Sequence, residues 1–395
     1  MSEGRELELV AGRPAHGGFT VARTDGQVVF VSGALPGEPV RARVTETRKS
    51  FLRATVTEVL TPSPHRVDEA CPAAAAGAGC CDLSFAEPAY ARELKSEVLA
   101  DVLGRIGRFA PGAVDTAVIP VTPGMDAGWR TRARLAVGRG GELGWRAARS
   151  HDLVAEPHCR QLVSGLVDGL TDLEHGAPEL VVARDDDGVR HAVLGSPARR
   201  GSWAAQLLVD GSGITRQRVG TRQFDVPVTA FWQAHRDAVA AYTALAARWV
   251  PPDVHVWDLY GGVGVFASAL TERGGSAEVV ETSPDAVRAG RRAFEGAPVR
   301  FLRSGVAEAL PRLRRPGAVV LDPPRAGAGA ETVRAIAAAR PADVVHVGCD
   351  AAAFARDLRL WHDAGYAARE VVAFDAFPGT HHLEVMAHLT PGAAP

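Results

Sequence analysis

The chain has 395 residues, 46% of them apolar and 23% charged, which suits two or three globular domains with substantial cores and excludes a disordered or fibrous chain. With 44 basic against 46 acidic residues the net charge is −2, so no global basic field announces nucleic-acid binding and any RNA contact has to be local. No apolar run of about 18 residues occurs, which excludes a membrane-spanning helix, and the N-terminal MSEGRELEL lacks the basic-then-apolar pattern of a secretion signal. Five cysteines, an odd and clustered set, point to reduced thiols in the cytoplasm that serve metal binding or catalysis.

In chain order, residues 5–60 alternate β-rich runs with Gly and Pro punctuation: RELELVAGR, GFTVARTDG, VVFVSGALPGE, PVRARVTETRKSF and LRATVTEVL. Five strands at this spacing predict a small barrel of the oligonucleotide-binding type, with Arg41 and Arg43 as candidate RNA contacts. CPAAAAGAGCCDLSF then carries three cysteines, and a fourth follows in EPHCRQL. Cys71, Cys80, Cys81 and Cys159 are the number that an iron–sulfur cluster needs. Residues 86–107 form an amphipathic helix, with Leu94, Val98, Val102 and Ile106 spaced by four and Leu99 and Leu103 beside them. Core packing explains that stripe. Over 128–158 arginine-rich β-hairpins are expected, with Arg130, Arg132 and Arg134 alternating to one face where they could meet phosphates or remain solvated. A further β-rich part runs from 159 to 230, and FWQAH, 231–235, is expected to start a helix that continues to about Trp249.

The chemistry is concentrated after residue 255. VWDLYGGVGVFASAL reads as strand, glycine-rich turn and helix, and Gly261, Gly262 and Gly264 allow close backbone approach to a nucleotide-like ligand. Glu281 ends the next strand, where an acid can accept both ribose hydroxyls; a nicotinamide-dependent dehydrogenase would show the same two features. VVLDPPR is a further strand followed by Asp322, two prolines and Arg325. VVHVGCD brings Cys349 to a strand tip, the place where ligands gather in open α/β sheets, although a small packed thiol is the alternative. HHLEVMAHL puts Glu384 within an apolar strand, which is costly unless the acid is paired or working.

DPPR, the strand-end cysteine and HLE, in that order after a glycine-rich turn, resemble the uracil-5 RNA methyltransferase family, and the segment around FVSGALPGE resembles the TRAM domain. The resemblance implies an α/β protein in three parts: a TRAM-like barrel over 1–62, a central β-rich domain over 63–227 and a doubly wound, Rossmann-like methyltransferase domain over 228–395. It implies that S-adenosylmethionine is held by Gln233, Tyr260, Gly262, Glu281 and Asp322, that Cys349 is the nucleophile and that Glu384 is the base. It further implies a 4Fe–4S cluster on Cys71, Cys80, Cys81 and Cys159, although Ala78 stands at the middle position of the family's cysteine pattern and Cys80 directly precedes Cys81. Val265 and Val306 depart from the family at donor-site positions. The implied reaction is methylation of uridine carbon 5 in a structured RNA, either tRNA or 23S rRNA. A cytosine-5 RNA methyltransferase and an RNA-binding protein or chaperone with a degenerate methyltransferase fold are the rival readings.

Overall fold

The structure, a computed structural model, describes residues 4–148, 150–170, 173, 177–197 and 203–392. Its first sheet holds six strands, Glu6–Val10, Pro14–Ala15, Phe19–Thr24, Gln27–Ser32, Pro39–Thr47 and Phe51–Val59, the two-residue Pro14–Ala15 being additional to the five expected. Alternate side chains line one face of a strand. Val40, Ala42 and Val44 therefore enter the barrel core, with Leu7, Leu9, Leu52 and Ala54 from neighbouring strands, while Arg41 and Arg43 face outward.

The second sheet is antiparallel, in the order Leu153–Val154, Leu143–Arg146, Arg132–Val137, Glu179–Arg184, Arg190–Pro197 and Trp203–Asp210. Two pieces expected to belong with it pack elsewhere. Helix Pro88–Arg105 buries Leu99, Val102 and Leu103 in one cluster with Phe354, Leu358 and Trp361. The hairpin Ile214–Val219/Arg222–Pro227 buries Val219, Phe224 and Val226 in another cluster, with Val287 and Phe294. Both clusters belong to the C-terminal sheet.

That sheet has eight strands. From His255–Leu259 the order proceeds to Ser276–Glu281 and Val299–Arg303 on one side, and to Ala318–Leu321 and Asp343–Gly348 on the other, all parallel. Glu384–Pro391 and Tyr366–Asp375 follow as an antiparallel pair, and Val118–Pro120 adds an edge strand. The central strands are mostly apolar because helices cover both faces, with Asp258, Glu278 and His346 as buried polar exceptions. A parallel sheet whose strand order reverses at one strand leaves a crevice beyond that strand's C-terminal end. Here that strand is His255–Leu259.

FWQAH does not begin a helix; the helix spans Ala238–Trp249. The preceding backbone is engaged by residues about a hundred positions away: Ala234 O accepts the Thr131 N–H at 2.9 Å, and Arg236 N–H donates to Trp129 O at 3.0 Å. Those tertiary bonds replace the local ones that a helix would need.

Candidate active site

At the crevice the chain must turn from strand to helix Val265–Thr271 at once. Gly262 and Gly264 meet that demand at φ +57 and +94, and Tyr260 takes +58, a region that side chains other than glycine rarely enter. Gly261 is limited by space instead, since a Cβ would lie 2.7 Å from the Asp258 carboxylate and 2.8 Å from Val279. Asp258, not singled out from the sequence, is buried and accepts the Ala267 N–H at 2.9 Å, tying strand end to helix start. Burial pushes its carboxyl up to about 8. The one signal for it was an acid inside the apolar run VWDLY.

Glu281 is placed beside that turn by the neighbouring strand. Its carboxylate accepts the N–H of Gly262 at 3.1 Å and those of Thr282 and Ser283 at 2.6 Å each. Asp322 follows strand Ala318–Leu321 and donates its own N–H to Leu259 O at 3.2 Å, so it stands at the same crevice. Gln233 is half-buried in the irregular segment before helix Ala238–Trp249. Val265 is the first residue of the helix after the turn, and Val306 is buried against the apolar core. Neither side chain can supply a polar contact to a ligand, which leaves only backbone groups at these positions.

Strand Asp343–Gly348 delivers Cys349 to the same edge. The antiparallel ladder ends with Gly348 paired to Val385, so Cys349 and Glu384 each adjoin that last pair, and the Glu384 charge acts on the Cys349 thiol. Burial, more than anything else, pushes the Cys349 thiol up to about 11; Glu384 and Asp322 add to the effect and the Arg325 guanidinium opposes it. Burial also raises Asp322 to about 7 and Glu384 well above the carboxylate range, the Asp322 charge adding to the rise of Glu384 and the Arg325 guanidinium opposing it. Tyr242, absent from the sequence reading, is buried with its hydroxyl unpartnered among the described residues; burial first, then the charges of Glu384, Asp322 and Cys349, oppose its ionisation.

A cavity of about 270 Å³ opens on Cys349 and Arg325. Its walls come from three regions of the chain. The barrel supplies the hairpin from Pro14 to Thr20, helix Pro88–Arg105 supplies Leu94, Lys95 and Val98, and the large sheet supplies Asp350, His381 and His382. His16 Nε2 lies 3.1 Å from Asp350 Oδ2, so the barrel is pinned to the residue after the cysteine. That hydrogen bond raises His16 above its ordinary value and lowers Asp350 to about 2. Lys95 is buried, and its Nζ donates to Asp375 Oδ1 at 2.5 Å, His382 O at 2.8 Å and Phe377 O at 3.2 Å. It fastens the segment that leads into Glu384.

Cys71, Cys81 and Cys159 are buried and Cys80 is half-buried. Their Sγ atoms lie 4.0 Å apart for Cys71–Cys81, 3.6 Å for Cys71–Cys159, 3.9 Å for Cys81–Cys159 and 3.7 Å for Cys80–Cys81. The arginines expected on a common RNA-facing strand are largely engaged within the protein. Arg130 precedes the strand and turns inward, its guanidinium reaching Arg132 O at 2.9 Å and Gln161 Oε1 at 3.3 Å and facing Cys159, Cys80 and Cys81. Arg132 donates to the carbonyls of Val228 and Ala230 at 2.8 and 2.6 Å. Arg134 is exposed but lies near Glu179 and over the Trp203 ring. On the barrel, Arg41 pairs with Glu8 and Glu58, and Arg43 with Glu6. Arg130 and Arg132 are both half-buried, and their internal hydrogen bonds leave them less free to meet a phosphate than the solvated stripe expected from the sequence.

Among the described residues, no helix is long and apolar enough to cross a membrane. Residues 2–57 match the TRAM domain. Over 412 residues the chain is 42% identical to an RNA methyltransferase of Corynebacterium efficiens, covering 100% of this chain and 97% of that protein. It is 33% identical over 440 residues to a Halomonas elongata protein named 23S rRNA (uracil(1939)-C(5))-methyltransferase RlmD, covering 98% of this chain and 89% of the relative. A crystal structure of the Pyrococcus abyssi tRNA (uracil-54, C5)-methyltransferase with S-adenosyl-L-homocysteine shares the fold, with a TM-score of 0.73 at 20% identity over 96% of this chain and 99% of that one. With the glycine turn, the acid beside it and the strand-end cysteine in place, these relationships establish that the chain belongs to the TRAM-containing, S-adenosylmethionine-dependent uracil-5 RNA methyltransferase family.

Proposed function

We propose that the protein methylates carbon 5 of a uridine in a structured RNA of the cytoplasm, 23S rRNA or tRNA, with Cys349 as nucleophile and Glu384 as base. The observation that supports this reading is that Cys349 and Glu384 each adjoin the last pair of one antiparallel ladder and that the Glu384 charge acts on the Cys349 thiol. Carbon 5 of uracil is too weak a nucleophile to take a methyl group directly. Attack of the Cys349 thiolate on carbon 6 forms an S–C bond and moves the ring's electron pair toward carbon 5 as an enolate. Carbon 5 then takes the methyl group. Removal of its remaining proton by Glu384 returns an electron pair to the ring and expels the thiolate, regenerating the enzyme.

S-adenosylmethionine, when bound, supplies the methyl group on a sulfonium. The glycine turn fits it, because Gly261 packs too tightly on Asp258 and Val279 to carry a side chain, while beside Gly262 the space is open. Gln233, Tyr260, Gly262, Glu281 and Asp322 would hold it, with the Glu281 carboxylate already oriented by three backbone N–H groups. Arg325 stabilises negative charge at Cys349. Burial favours the protonated form of Glu384, so its proton must leave before that residue can act as a base. The cavity beside Cys349 has room for one base, so the uridine enters flipped from its stack, with RNA approaching from the barrel side.

The test is in vitro methylation of transcribed 23S rRNA fragments and tRNA, followed by nucleoside mass spectrometry. The expected product is 5-methyluridine at one position of one of these RNAs. Formation of 5-methylcytidine, or RNA binding without any product, would select a rival reading.

A further inference from the structure

A buried polar atom with no partner destabilises a fold, so one that persists calls for an explanation in function. The Tyr242 hydroxyl is such an atom: the residue is 2% exposed, and its oxygen has no hydrogen-bond partner among the described residues. We propose, on the footing of the function given above, that this hydroxyl positions Glu384 by donating a hydrogen bond to its carboxylate when that group acts as the base.

Helix Ala238–Trp249 turns Val239, Tyr242, Ala246 and Trp249 inward, the spacing of one helix face. That face covers the side of the large sheet that carries Val320, Val345, Val347, Phe374 and Met386, all in one cluster with Tyr242. Glu384 belongs to the same side on two counts. It lies two residues before Met386 in its strand, and it is the cross-strand partner of Phe374, whose ring centroid is 5.3 Å from that of Tyr242. Directly opposed residues share a face, so Phe374 neighbours both the phenol and the acid. Glu384 is itself buried, and its carboxylate makes no hydrogen bond or ion pair among the described residues. A donor and an acceptor, each unsatisfied, thus adjoin one ring. Catalytic hydrogen bonds are often long without substrate and tighten when it binds.

The charges around Glu384 show what the hydroxyl adds. Asp322 and Arg325 act on it from the loop after strand Ala318–Leu321, the first against its ionised form and the second in favour. The Cys349 thiol feels its charge from the end of the next strand, and Asp375, beside Phe374, is already paired with Lys95. Tyr242 remains a neutral O–H donor in this company, because burial, and then the charges of Glu384, Asp322 and Cys349, keep its own proton in place. A hydrogen bond to the ionised carboxylate favours that form without placing another charge in the interior. In the step itself Glu384 takes the proton from carbon 5, the C–H electron pair becomes the carbon 5–carbon 6 double bond, and the carbon 6–sulfur bond breaks to release the Cys349 thiolate. Tyr242 keeps its proton throughout.

The experiment compares the full chain carrying Tyr242→Phe, which removes only the hydroxyl, with the wild type on transcribed 23S rRNA fragments and tRNA. Turnover should fall about ten- to a hundredfold, the effect of losing one hydrogen bond to a charged acceptor, while a methylated covalent Cys349 species accumulates. Without the donor the carboxylate ionises less readily, so the rising limb of the pH–rate profile should move up by about one to two units. Adduct formation on 5-fluorouridine RNA, which precedes the base step, and affinity for S-adenosylhomocysteine should each stay within about twofold, and in a Glu384→Gln background Tyr242→Phe should add nothing further. The urea midpoint of the free chain should be equal or higher, because an unsatisfied hydroxyl has gone. Wild-type turnover and pH profile in Tyr242→Phe would overturn the inference alone, as would loss of adduct formation or of donor binding, or a lowered urea midpoint. A wild-type chain that yields neither 5-methyluridine nor adduct would overturn the proposed function together with it.

Discussion

The Cys349 thiol offers a quantitative check on the site because its environment works against the state in which it reacts. With its midpoint pushed up to about 11, about one thiol in a thousand is ionised at pH 8, against about one in four for an unperturbed cysteine. Alkylation by iodoacetamide, followed at the Cys349 peptide by mass spectrometry, should therefore run about two orders of magnitude slower than for free cysteine, and should still be climbing at pH 10. Cations reverse the effect. A unit positive charge brought within ~6 Å at an effective dielectric of ~20 contributes about 3 kcal/mol, about two pKa units. S-adenosylmethionine, which carries a sulfonium, should then accelerate alkylation tenfold or more, whereas neutral S-adenosylhomocysteine should only shield the thiol. Arg325→Gln removes the chain's own opposing cation and should slow alkylation several-fold further. A Cys349 that reacts like free cysteine without donor, with a midpoint below about 8.5, would refute the electrostatic reasoning.

Glu281→Ala removes the carboxylate beside the glycine turn and should weaken S-adenosylhomocysteine binding at least tenfold by titration calorimetry, while Gly261→Val should abolish binding because its side chain meets Asp258 and Val279. Lys95→Met leaves buried Asp375 with only the more distant Arg92, 3.7 Å away, and should cost about 3 kcal/mol in urea denaturation, most of it recovered when Asp375→Leu is added. His16 has a raised pKa and Asp350 a lowered one, so the His16 contribution is complete below its unfolded value near 6.5 and is lost as pH rises through the raised folded value, while that of Asp350 is complete above about 4 and is lost as pH falls through about 2. Amide exchange over residues 14–20, corrected for intrinsic rate, should accordingly be slowest between about pH 4 and 6.5 and quicken toward pH 8, and His16→Gln should remove that dependence.

The parts of the site legible in the sequence are those in which a strand end and its functional residue adjoin in the chain. The glycine turn after Leu259, Asp322 after Leu321, Cys349 after Gly348 and Glu281 at the end of its strand were all readable because a buried apolar run stops where the polar side chain begins. Glu384 was visible for the complementary reason, as an acid at the start of such a run. What the sequence hid was whatever depends on a distant partner. Arg130 and Arg132 read as an exposed stripe, but Gln161 and the carbonyls of Val228 and Ala230 turn both inward. Lys95 sits among the buried positions of its helix, and only the fold shows that Asp375 waits there, 280 positions on. His16 lay in a two-strand corner of the barrel with no local mark of its role, and Tyr242 passed as one more apolar helix residue. Helix Pro88–Arg105 was correctly a helix, yet its stripe could not say which sheet it would cover.

Trapping on fluorinated RNA tests the central claim, that Cys349 and Glu384 perform separate steps on one uridine, most directly. Fluorine at carbon 5 permits thiolate addition and methyl transfer but leaves no proton for Glu384 to remove. Substrate RNA containing 5-fluorouridine should therefore give a covalent enzyme–RNA adduct that forms irreversibly only with S-adenosylmethionine, survives denaturing electrophoresis and maps to the Cys349 peptide. Cys349→Ala should give no adduct, and Glu384→Gln should accumulate a methylated covalent species on ordinary uridine RNA. Free release of the fluorinated RNA by an otherwise active enzyme, or near-normal turnover by Cys349→Ala, would contradict the account.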